Sequence, residues 1–299
     1  RLRELLDALA RARIETLLLK GTPVARLYYE SPSTRSRGDT DLLVDPADFE
    51  RTAGVLEALG YRRHIDAGGQ VSSYQASFLL RDRVGCPHVV DVHRRISNRQ
   101  VFARAFGWNE LRRSSIPVPG IHAEARTLAP VYLLLHACLH RVAHLHAPYR
   151  VGDEVHLGDR FVWLHDIALI ARGLAAGEWL RLARLAREKA MARVVLDGLE
   201  KARDTFPFEV PTATLAALQS AGPEPSARLL APHGARTIVE DLRAMETPGG
   251  KLQLLIELAF PPPAYMRARF GAPNGLLLPW LYLRRGVAGL VRTLRGPPG

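Results

Sequence analysis

Leu2, Leu5, Leu6 and Leu9 recur at helical spacing, which predicts an amphipathic helix over residues 2–13. Residues 14–19 form a short apolar run of the kind that makes a buried strand, and it ends at Lys20-Gly21. Thr22 is placed to cap a second helix, with Pro23 in its first turn, running to about residue 29. A polar loop, SPSTRSRG, leads into a predicted strand over 39–44. Asp45-Pro46 then opens a third helix to about residue 59, closed by Gly60. Residues 61–65, 74–81 and 88–96 read as further strands. The order of elements, α-β-α-β-α-β-β-β, predicts an α/β (α+β) core of roughly 110 residues: a mixed sheet with helices against it.

The pattern changes after about residue 116. Pro117, Pro119 and Gly120 mark a linker, and from residue 129 the periodicity is helical. Helices are predicted over 130–146, 159–174, 178–206 (as one long segment), 212–220, 235–245 and 250–259. Two parts are therefore expected, 1–116 and a mostly helical 117–299. The most apolar stretch, GLLLPWLYLRRGVAGLV, is interrupted by Pro279, Arg284 and Arg285, so no membrane span is expected. No secretory signal is visible. The chain begins at Arg1 inside a predicted helix, which reads as a trimmed start.

Composition changes this picture little. A hydrophobic content of 47% supports a sizeable core, and 24% charged residues is ordinary for a globular chain. Cys86 and Cys138 form neither a disulfide framework nor a CxxC knuckle. They fit a reducing cytoplasm with buried thiols, a bridge between them being the alternative. The net charge of +11 points toward nucleic acid or other polyanions. However, all but four of the 41 basic residues are arginine, and they are scattered along the chain. A solvated basic surface is the simpler reading.

The candidate chemistry starts at GDTDLLVD. Asp39 and Asp41 sit two apart in a predicted strand, so their side chains project to one face. Two carboxylates that close raise each other's pKa unless a cation lies between them, and an oxygen donor set suits Mg²⁺ or Mn²⁺. Asp91, in HVVDVHRR, repeats the oddity of a carboxylate inside an apolar strand, with His93 on its face. The alternative for Asp91 is an ion pair with Arg81, Arg94 or Arg95. Lys20-Gly21-Thr22 lies at a strand-to-helix junction, where a glycine lets a phosphate approach backbone N–H groups. Lys20 and the loop residues Arg35 and Arg37 are either phosphate contacts or solvated charges. His93 is either a ligand or a supporting core imidazole. His136, His140 and His144 recur every four residues on a predicted helix without the glutamate of a metalloprotease motif. They are expected to pack, with His140 or His144 near Asp166, along the cleft opposite the phosphates. Tyr265, Arg267 and Arg269 are candidates to close over it.

LLLKGTPVARLYY, RSRGDTDLLVDPADFERTAGVLEALGYRR and VVDVH together resemble the nucleotidyltransferases of the DNA-polymerase-β-like superfamily. More narrowly they resemble a bacterial family known as uncharacterised nucleotidyltransferases. Lys20, Gly21, Arg35, Gly38, Asp39, Asp41, Asp91 and His93 match its motifs, and Thr22 keeps the hydroxyl of the usual Gly-Ser turn. The resemblance implies a nucleotidyltransferase core followed by a helical acceptor-side region. It implies Asp39, Asp41 and Asp91 as catalytic metal ligands for Mg²⁺ (or Mn²⁺), and Lys20, Gly21, Thr22, Arg35, Gly38 and His93 around the nucleotide. The implied reaction moves a nucleoside monophosphate, AMP from ATP first, to a hydroxyl of a small molecule, peptide or protein. A nucleic-acid-binding or end-modifying protein and a non-catalytic nucleotide-binding scaffold are the alternatives. Nothing resembles the aromatic-interleaved basic groove of a single-strand binder.

Overall fold

The computed structural model describes residues 1–65, 68–151, 153–231, 236–271 and 277–295. Helix α1 (Leu2–Arg11) is followed by β1 (Thr16–Leu19), α2 (Gly21–Tyr28) and β2 (Asp39–Val44). A 3-10 turn (Pro46–Asp48), capped by the Asp45 side chain, leads into α3 (Phe49–Ala58). Then come β3 (Arg62–Arg63), β4 (Gln75–Arg81), β5 (Pro87–His93), α4 (Gln100–Ala103) and α5 (Trp108–Arg113). The stretch expected as a linker holds β6 (Ile116–Pro117) and β7 (Arg126–Thr127), which joins the sheet beside β1. The main sheet runs β3-β4-β5-β2-β1-β7-β6 and is mixed: β2/β5 and β1/β7 are parallel, the other pairs antiparallel.

Helical structure dominates beyond it. α6 (Pro130–His144) and a small hairpin, β8 (Tyr149–Val151) with β9 (Glu154–His156), precede α7 (Phe161–Arg172). α8 (Ala176–Glu188), α9 (Ala192–Thr205) and α10 (Thr212–Gln219) follow, then α11 (Arg236–Ala244), α12 (Pro248–Ala259), α13 (Pro263–Phe270) and α14 (Leu278–Arg295). The long helix expected over 178–206 is two helices. The chain turns at Ala190, whose φ of 51° is left-handed, and buries Met191 beneath the turn. Cys86 is exposed and Cys138 buried, and both are free. Among the described residues no helix is long and apolar enough to cross a membrane.

The alternation of side chains across β1, β2 and β5 sorts their residues onto two faces. Leu18, Leu42, Val44, Val90 and Val92 pack with Leu5, Leu6 and Leu9 of α1 and Phe49 and Leu56 of α3. Leu17, Leu19 and Leu43 belong to the opposite core, with Leu133 and Leu134 of α6 and Ile167 and Ile170 of α7. Asp39 and Asp41 share Leu43's face, so the sheet turns them toward α6 and α7. Arg141, 1% exposed, locks α6 in place through Asp159 (2.5 and 2.8 Å) and Asp197 (2.5 Å).

Candidate active site

The site begins where β1 ends. Lys20 adopts φ 53°, ψ −128°, a backbone conformation that costs a side-chain-bearing residue of order 1–3 kcal/mol. This turns the chain into α2 within one residue, so Lys20, and not Thr22 as expected, precedes the helix. Thr22 does not cap it. Its hydroxyl is buried and has no hydrogen-bond partner. Leu19 pairs with Asp41 in the β1/β2 ladder, and Lys20 Nζ sits 2.5 Å from Asp41 Oδ1. A Cβ on Gly21 would lie 3.4 Å from Arg35 Nη1, so the Arg35 guanidinium rests directly against the bend.

The parallel β2/β5 ladder sets Asp41 opposite Asp91, Asp39 opposite Val89 and Leu43 opposite His93. Donor atoms of Asp41, Asp91 and His93 all lie within 4.8 Å of one another. Among the described residues this is the one cluster of potential ligands so gathered. Asp39 stands outside that tight group, two residues along the same face at the cavity rim. His93 Nε2 lies 2.8 Å from Asp41 Oδ1. An ionised carboxylate only accepts, so this ring nitrogen donates, and His93 orients Asp41. Burial pushes the Asp41 pKa up, but the His93 hydrogen bond and the Lys20 charge outweigh it and hold the carboxyl well below the usual range. Asp39 shifts the other way. Burial and then the neighbouring Asp41 charge push it up, with Lys20 only partly offsetting them.

Asp91 Oδ1 is buried and has no hydrogen-bond partner. Its other oxygen is 3.5 Å from Gln75 Nε2, the limit of a hydrogen bond. The arginine alternatives do not reach it: Arg81 bonds Gly85 O, Arg94 the carbonyls of residues 69, 70 and 73, and Arg95 that of Ala103. An orphaned carboxylate oxygen facing a second carboxylate costs stability unless a cation joins them. The oxygen-rich donor set fits a hard divalent ion of the Mg²⁺ or Mn²⁺ type.

A cavity of about 650 Å³ opens over Asp39 and Asp41, with Asp91 and His93 set behind its lining. Lys20, Gly21, Arg35, Arg37, Gly38, Asp39 and Asp41 line one side, and His136, His140, His144, Trp163 and Asp166 the other. The expected histidine wall is therefore present. Tyr265, Arg267 and Arg269 do not line the cavity, and α13 packs on α14 instead. Burial, then the charge of Lys20, pushes the His136 pKa down to about 3, and the same causes lower His140 and His144. His136 is 3% exposed, so its neutral ring has a stability consequence. Below about pH 6.5 the unfolded imidazole binds a proton that the folded one does not, so stability falls as pH drops from there toward 3. At pH 5 this amounts to about 2 kcal/mol. Thermal unfolding between about pH 4.5 and 7.5 should show that acid loss, and His136→Gln should remove the His136 share of it while leaving that of His140 and His144.

Sequence reasoning missed what holds Arg35. Its guanidinium makes a bidentate pair with Asp166, Nε 3.0 Å from Oδ1 and Nη2 2.7 Å from Oδ2. Tyr29 donates its hydroxyl hydrogen to Asp166 Oδ1 at 2.8 Å, and His165 Nδ1 lies 3.1 Å from the same phenol oxygen. Burial first, then Asp166, raises the Tyr29 pKa, so the phenol stays a donor. The signal was a carboxylate inside the apolar helix FVWLHDIALIAR, the same anomaly that marks Asp41.

A family model described as "Uncharacterised nucleotidyltransferase" matches residues 1–207. The chain belongs to that family. It is a transferase that uses a nucleoside triphosphate. The matched span contains every residue of the site, from Lys20 to Asp166, and ends after α9. No curated protein matches the chain.

Proposed function

We propose that this nucleotidyltransferase moves a nucleoside monophosphate from ATP to a hydroxyl of a small molecule, peptide or protein. The observation that carries the proposal is the buried, unpartnered Asp91 oxygen set opposite Asp41 on the next strand. In the reaction the acceptor oxygen bonds to the α-phosphorus, the bond from that phosphorus to the β-bridging oxygen breaks, and pyrophosphate leaves. Asp39, Asp41 and Asp91 would hold divalent ions, Mg²⁺ or Mn²⁺, which neutralise charge on the attacking and leaving oxygens when bound. Asp91 would receive the hydroxyl proton. The backbone N–H groups of Gly21 and Thr22 would meet the phosphates at the positive end of α2, Pro23 having none and that of Val24 already donating to Lys20 O, and Lys20 would exchange Asp41 for them. Catalysis rests on positioning and electrostatics, in keeping with the resemblance to polymerase-β-like enzymes. Residues 1–116 would act as the nucleotidyltransferase core and 117–299 would shape the acceptor side.

Labelled ATP with Mg²⁺ and a panel of hydroxyl acceptors should yield pyrophosphate together with an adenylylated product. Pyrophosphate release by neither ATP nor any other nucleoside triphosphate would contradict the proposal.

Arg35 is held over the bend by Asp166, so Asp166 is a positioning residue for the phosphate end. Asp166→Ala should raise the KM for ATP roughly tenfold, the scale of one displaced charge-assisted contact, with a smaller change in kcat. Equal losses in kcat and kcat/KM would place Asp166 in the transition state instead.

A further inference from the structure

Away from the phosphate end the cavity changes character. Its far wall is Leu133, Ala137 and His140 of α6 with Val162 and Trp163 of α7, and Pro148 lies beside them. Trp163 meets His140 edge-on, with ring centroids 5.4 Å apart and planes at 82°, and lies 6.1 Å from His144. The Arg160 guanidinium, which also lines the cavity, stacks 4.9 Å from the Trp163 ring and 4.3 Å from that of Tyr149. Asp166 is the carboxylate that lines the cavity on this side, and Arg35 and Tyr29 already engage it. His136 lines the same cavity as Lys20 and Asp41, and His140 follows one helical turn on, the two rings 6.5 Å apart.

The cavity thus offers cations, backbone N–H groups and metal-type ligands at one end, and an aromatic wall carrying the Arg160 guanidinium at the other. A molecule matching both ends is polyanionic at one and flat and aromatic at the other, since a π face suits both an indole and a guanidinium. Resting on the nucleotidyl-transfer reading, we propose that Trp163 is the platform for the donor's nucleobase, giving purine triphosphates preference over pyrimidine ones. Stacking tolerates any base but grows with ring area, so adenine and guanine are accepted alike and cytosine and uracil less well. His140 holds the indole edge in place.

The test compares binding of ATP, CTP and inorganic tripolyphosphate to the full chain with Mg²⁺ by calorimetry. Wild type should bind ATP roughly tenfold more tightly than tripolyphosphate, the scale of one base stacked on an aromatic ring, with CTP in between. Trp163→Leu should bring all three affinities to the tripolyphosphate value. Trp163→Phe should keep most of the ATP preference. The indole supplies a second readout, because ATP but not tripolyphosphate should quench tryptophan emission in wild type, and Trp163→Phe should lose that quench while still binding ATP. An ATP preference that survives Trp163→Leu, or a quench that survives Trp163→Phe, overturns the proposal. So does a Trp163→Leu enzyme whose ATP affinity is intact but whose acceptor KM rises, which would assign the wall to the acceptor. If wild type binds neither ATP nor tripolyphosphate, the nucleotide reading itself fails and takes this proposal with it.

Discussion

Asp91→Asn should slow nucleotidyl transfer roughly a thousandfold or more while leaving the fold as stable as before, or more stable by about 1 kcal/mol. The two effects separate because Asp91 Oδ1 makes no hydrogen bond within the protein. The amide oxygen of Asn can still accept the long contact from Gln75, so removing the charge costs little, and it relieves repulsion from Asp41, its partner across the ladder. An amide, however, cannot replace a carboxylate as a hard-metal ligand or as a proton acceptor. A carboxylate kept at a cost to the folded state is what a functional site produces, and a structural residue would show the opposite pairing. Melting temperature and pyrophosphate release, measured on the same preparation, check both halves. A clear drop in melting temperature would mean that Asp91 has a structural role.

Asp41→Asn should lose activity by a similar factor and lose stability as well. Asp41 is 2% exposed and accepts from both Lys20 and His93 at one oxygen. Breaking a buried ion pair from one side costs about 3–5 kcal/mol when the other charge is stranded. The Lys20 side chain is 22% exposed, however, and can turn to water, and the amide oxygen still accepts a hydrogen bond. A loss of about 2 kcal/mol is therefore expected. Urea denaturation should show a lower midpoint with an unchanged slope. Stability equal to wild type would mean that the Lys20–Asp41 pair contributes nothing to the fold.

Strand β2 is legible to the residue, because its apolar run is bounded by GDTD on one side and Asp-Pro on the other. The suspicion that Asp41 and Asp91 belong together was also legible, from two carboxylates in strands otherwise fit for burial. Their register was not. It depends on β5 lying parallel to β2, a choice of sheet order that no local pattern encodes. Thr22 obeys the local rule for a helix cap, yet packing against β2 forces the turn onto Lys20, with a positive φ that only tertiary contacts sustain. The break at Ala190 carries no glycine to announce it. The clamp on Arg35 joins residues 131 positions apart, and its trace in the sequence is a single acidic residue in an apolar helix. Asp39 matches the motif as well as Asp41 does, but the geometry gives the two unequal surroundings, one at the rim and one sealed between a lysine and a histidine.

A crystal soaked with Mn²⁺ and a non-hydrolysable ATP analogue, with anomalous scattering collected at the manganese edge, shows whether Asp41 and Asp91 share a metal. Manganese is expected to bond to carboxylate oxygens of both Asp41 and Asp91 at the hard-cation distance of about 2.1–2.2 Å, with the triphosphate lying along the Gly21 bend. Manganese absent from those two side chains, or a triphosphate bound in a different cavity, would contradict that arrangement.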